Sequence, residues 1–65
     1  MEKNLLKARI AEKGKTCENI AEEIGLTKSA FSKRINGKVP FTIREVALIK
    51  TALSLNETEI CKIFL

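Results

Sequence analysis

The chain contains no histidine, no tryptophan and no tyrosine, and it has only three phenylalanines and two cysteines. Without histidine, the commonest general base and the commonest metal ligand are both missing. Cys17 and Cys61 lie far apart in the sequence. The roughly four closely arranged ligands of a zinc centre are therefore not available, and no metal site is expected. Glu18, Glu22 and Glu23 form the one acidic cluster, but no nucleophile or ligand set accompanies them, so they read as solvated helix surface. With little volume for a pocket and no cofactor motif, an enzyme is disfavoured, and neither a cofactor nor a small-molecule ligand is expected. The scarcity of aromatic rings also leaves little material for stacking on single-stranded bases.

Long apolar runs are absent as well. No stretch approaches the about 20 residues needed to span a membrane, and Met1-Glu2-Lys3-Asn4 lacks the apolar core of a signal peptide. A cytoplasmic location is the default expectation, with both thiols reduced and half-buried. No alternating apolar pattern bounded by hairpin turns suggests a strand. No repeat, linker or low-complexity tract divides the chain.

What is present is enough for one small core. Residues 1–65 make a single domain in which 45% of the side chains are hydrophobic. The net charge is +4, and its placement says more than its size. Residues 1–23 hold five basic and five acidic side chains, and residues 45–65 hold two basic and three acidic ones. Residues 24–44 hold Lys28, Lys33, Arg34, Lys38 and Arg44 with no acid. The positive excess belongs to the middle third of the chain.

Turn and cap residues divide the chain into five helical segments. The first runs from about Lys3 to Lys13, with Leu6 and Ile10 at i, i+4 and Leu5 beside them, and stops before Gly14. The second is capped by Thr16, carries Glu18 in its first turn, buries Ile20, Ala21 and Ile24, and ends at Gly25. The third is capped by Thr27, buries Phe31 and Ile35 with Ala30 beside them, and ends at Asn36-Gly37. Lys38-Val39-Pro40-Phe41 is an extended loop, because a residue before proline is pushed out of the helical region. Thr42-Ile43-Arg44-Glu45 is a capping box opening a fourth helix, with Val46, Ile49 and Leu53 at i, i+3, i+7. Asn56-Glu57-Thr58-Glu59 opens a fifth, with Ile60, Ile63 and Phe64 on one face. The fold class expected is all-α, five short helices around one core.

Thr16 to Lys38 is the informative unit. Two helices of about eight residues are joined by Gly25-Leu26-Thr27, the short glycine-containing turn of a helix-turn-helix. Gly25 supplies a positive φ, Leu26 plugs the corner, and Ala21 is small where the second helix crosses close to it. Ile20-Ala21, Ile24-Gly25-Leu26-Thr27, Phe31 and Ile35-Asn36-Gly37-Lys38 resemble the lambda-repressor-like, or Xre, family of helix-turn-helix proteins, most of all its small single-domain phage members of Cro type. The five-helix layout extends the resemblance over nearly the whole chain. Two places depart from the family pattern. Cys17 stands where many members carry a glutamine that touches a DNA phosphate, and Arg34-Ile35 reverses a common Leu-then-polar order.

The resemblance implies sequence-specific binding of double-stranded DNA by a small transcriptional regulator, with residues of about 28–36 forming the recognition helix in the major groove. By position, Lys28, Ser29, Ser32 and Lys33 would read base edges. Thr27, Arg34, Asn36, Lys38, Arg44 and Cys17 would meet phosphates, although Arg34 could equally lay its stem on a neighbouring helix and Asn36 could serve as a cap. A pseudo-palindromic operator calls for two copies. Val39, Phe41, Ile63, Phe64 and Leu65 are apolar residues beyond what five short helices require, so a weak homodimer is expected through helix five, the loop before helix four, or both. The rival reading is a protein-interaction module on the same scaffold, such as an antitoxin without DNA contact, which would not need the acid-free segment.

Overall fold

The five capped segments become five helices in the computed structural model, which describes residues 1–65: α1 (Lys3–Glu12), α2 (Cys17–Glu23), α3 (Lys28–Ile35), α4 (Ile43–Leu53) and α5 (Glu57–Phe64). The all-α expectation holds, and no residue is in a strand. No helix is long and apolar enough to cross a membrane.

Four of the five starts are made by the side chains anticipated for them. Thr16, Thr27, Thr42 and Asn56 each accept a hydrogen bond from the backbone N–H three residues on, at 2.8–3.1 Å. At Thr42 and Asn56 the bond is returned by Glu45 and Glu59, closing both anticipated boxes. A third box, unanticipated, closes at Thr16, where the Asn19 amide oxygen accepts from the Thr16 N–H at 3.0 Å. α1 has no side-chain cap.

The ends of α1 to α4 follow one rule. Gly14, Gly25, Gly37 and Ser54 all have positive φ. The residue after each donates its N–H to the carbonyl five positions back: Lys15 to Ile10, Leu26 to Ala21, Lys38 to Lys33 and Leu55 to Lys50, at 2.8–3.2 Å. This left-handed stop ties off carbonyls that the last helical turn leaves unpaired. Glycine adopts it freely, whereas Ser54, at φ 53°, carries the steric cost of a Cβ.

Eleven apolar side chains form one core. Leu6, Ile10, Ile20, Ile49, Leu53 and Ile63 are its fully buried members, drawn from α1, α2, α4 and α5. Each such side chain contributes about 1.5–3 kcal/mol by leaving water. α3 contributes Phe31 and Ile35, and α2, with Ala21 1% exposed, makes its most extensive helix contact with α3. Leu55 is also buried, in the α4–α5 connection, where no helical periodicity announces it. Val46, placed in the core by its spacing, is only half-buried; the neighbouring Glu45 is buried instead. Ile63 has no exposed surface, so of the apolar surplus near the end of the chain it closes the core and offers nothing to a partner. Cys17 is half-buried as expected, but Cys61 is exposed, and both are free thiols.

Candidate functional site

α3 is anchored on successive turns by Phe31 and Ile35 and open along much of the rest of its surface. Phe31 and Ile35, at i, i+4, face the core, and Lys28, Ser29, Ser32 and Lys33 are all exposed. Thr27 holds the start of the helix through the Ala30 N–H at 3.1 Å. Lys28 and Lys33 have no acidic partner within ion-pair distance, and the same is true of Lys38 and Arg44, both exposed. Four of the five cations in the acid-free segment thus remain free to meet an external anion.

Arg34 is the exception. Its Nε donates to Glu45 Oε1 at 2.9 Å and its Nη1 donates to the Ala30 carbonyl at 3.1 Å. The two charged side chains are 19% and 10% exposed. Glu45 Oε1 also accepts from the Thr42 N–H at 3.0 Å, so one carboxylate closes the α4 box and holds α3. Burial works to raise the Glu45 pKa, but the Thr42 backbone hydrogen bond, the Arg34 hydrogen bond and charge, and the Thr42 side-chain hydrogen bond together outweigh it and leave the carboxyl below its usual range. Of the two roles the sequence left open for Arg34, the stem-and-anchor role is the one these contacts describe.

The remaining residues divide by position. Lys28, Ser32, Asn36 and Cys17, though they come from two helices, line one cleft of about 210 Å³. Ser29, Lys33, Lys38 and Arg44 lie outside it. Asn36 is the C-cap residue of α3, with its side chain exposed; its Nδ2 donates to Ser32 Oγ at 3.3 Å and its Oδ1 accepts from Lys3 Nζ at 3.4 Å. The cleft also contains Lys7 of α1 and Glu18 of α2, neither of which the sequence reading assigned to this surface.

A second hollow, of about 670 Å³, is open and mainly apolar. It lies among the loop before α4, α4 and α5, and its walls include Val39, Phe41, Ile43, Val46, Phe64 and Leu65. Phe41 bridges Phe31 and Phe64 through two edge-to-face contacts, with ring centroids 5.7 and 5.6 Å apart. This three-ring chain fixes the loop between α3 and α5. Ile43 and Leu65 remain 91% and 98% exposed beside it.

Glu18, Glu22 and Glu23 are exposed, and Glu23 pairs with Lys15 at 2.9 Å. No group of three or more Cys, Asp or Glu side chains is placed to hold a metal ion. No buried side-chain polar atom lacks a hydrogen-bond partner. No family model, curated protein or solved structure matches the chain.

Proposed function

We propose that this chain is a small lambda-repressor-like helix-turn-helix regulator, of phage or mobile-element type, that binds double-stranded DNA sequence-specifically with α3 in the major groove. The observation that carries the reading is the outward surface of α3. Lys28, Ser29, Ser32 and Lys33 are exposed and free of acidic partners, on a helix held to the core by Phe31 and Ile35. Lysine donates to guanine O6 and N7, and serine exchanges hydrogen bonds with several base edges, so this surface has the chemistry of direct readout.

Cys17, Thr27, Asn36, Lys38 and Arg44 then flank the helix as phosphate contacts that set its register. Two copies bind a pseudo-palindrome about one DNA turn apart, joined weakly through the apolar hollow around Phe41, Ile43 and Leu65. The protein acts in the cytoplasm, where its duplex lies, and by binding, with no catalytic step.

The test is to select bound fragments from random duplex DNA and read the enriched site. The expected result is a site with two-fold symmetry. Affinity should fall with salt at a log–log slope of about −4 per subunit, as the four unpaired cations Lys28, Lys33, Lys38 and Arg44 require. Failure to enrich any sequence, together with indifference to duplex DNA at low ionic strength, would overturn the reading.

A further inference from the structure

Counted along the chain, residues 1–23 are electrically neutral. In three dimensions they are not uniform. Arg9 is bound to Glu12 and Glu59 at 3.0 and 3.1 Å, and Lys15 to Glu23 at 2.9 Å. Lys3 and Lys7 have no acidic partner, and both are exposed. They stand at i, i+4 on α1, hence on one side of the helix. At about 100° per residue, Arg9 lies about 200° round from Lys7, on the side that meets Glu59 of α5.

The Lys3–Lys7 side runs beside α3. Lys3 Nζ reaches Asn36 Oδ1 at the end of α3, and Lys7 shares a cleft with Lys28 and Ser32. Lys3 and Lys7 therefore continue the unpaired positive surface of α3, although Lys7 and Lys28 lie 21 positions apart in the sequence.

We propose that Lys7, supported by Lys3, binds backbone phosphate of the duplex beside α3. This rests on the DNA-binding reading above and adds α1 to its contact surface. The lysines add affinity and register, not base discrimination, because an ammonium on a phosphate carries no sequence information. Glu18, the one acid lining the cleft, opposes the approaching phosphate of any duplex.

The test compares Lys7→Ala with Lys62→Ala in the full chain. Lys62 is an exposed, unpaired lysine on α5, so the change in net charge is the same. Affinity is measured by fluorescence anisotropy on the selected site and on unrelated duplexes across a salt series, with urea denaturation to verify that both variants are folded. Lys7→Ala should weaken binding several-fold by the same factor on all duplexes and reduce the salt slope by about one. Lys62→Ala should leave the slope unchanged, and Glu18→Gln should strengthen binding to every duplex. If the wild type binds and Lys7→Ala cannot be distinguished from Lys62→Ala, the α1 contact is overturned while the DNA-binding reading stands. A wild type that ignores duplexes removes both.

Discussion

Arg34 Nε lies 2.9 Å from Glu45 Oε1, and that oxygen also accepts the Thr42 N–H at 3.0 Å. One carboxylate thus fixes the start of α4 and the orientation of α3 together. An arginine in the acid-free segment is withdrawn from the exposed cationic set in order to hold the helix that carries the rest of it.

Glu45→Gln should therefore destabilise the fold by about 2–3 kcal/mol, since it leaves the Arg34 guanidinium partly buried without its counter-charge. Arg34→Met should cost less, because Glu45 keeps its Thr42 bonds and the methionine replaces the arginine stem. A double-mutant cycle read by urea denaturation checks the coupling; additive losses would show that the pair is not a unit.

The same pair sets a pH dependence. The folded-state pKa of Glu45 is depressed, so its contribution is fully present above the unfolded value and is lost as pH falls through the lower folded value. Urea midpoints measured from pH 6 down to about pH 2 should fall for the wild type in that window. Glu45→Gln should fall less steeply there.

Ser54 and Gly25 occupy equivalent left-handed stops, at φ 53° and 78°. Replacing Ser54 with glycine removes the Cβ penalty but adds unfolded-state freedom, for a net gain of about 0.5–1 kcal/mol. Gly25→Ala should lose about 1 kcal/mol; open space surrounds the position, so backbone strain alone makes the loss. Thermal melts of the two variants should shift in opposite directions.

The difference between these two stops explains what could be read from the chain. Caps and glycine stops are local: Thr27 needs only the N–H three residues on, and Gly25 only its own φ, so the helices were legible to within a residue or two. Ser54 carries no such signature, so nothing local in the sequence marks its stop. Glu45 and Leu55 are buried by partners distant in sequence or outside any helical period, which periodicity cannot report. The outward positions of α3 came from the family resemblance, since Lys28 stands i, i+3, i+7 with Phe31 and Ile35 and spacing alone would place it on their face. Lys3 and Lys7 were not legible, because a charge count along the chain cannot separate cations neutralised across helices, such as Arg9 by Glu59, from those left free.

The apolar hollow yields a prediction independent of DNA. Ile43 is 91% exposed at the first position of α4 and makes no core contribution. Ile43→Lys should therefore leave folding stability within about 0.5 kcal/mol. If two copies meet at this hollow, the lysine must lose its hydration on association, and self-association should weaken at least tenfold. Sedimentation equilibrium should show reversible dimers for the wild type at high concentration and monomers for the variant. Phe41→Ala makes the contrasting case: Phe41 bridges Phe31 and Phe64, so truncation should cost about 2–4 kcal/mol of folding as well as any dimer. Wild-type monomers at every concentration would assign the exposed Ile43 and Leu65 no part in self-association.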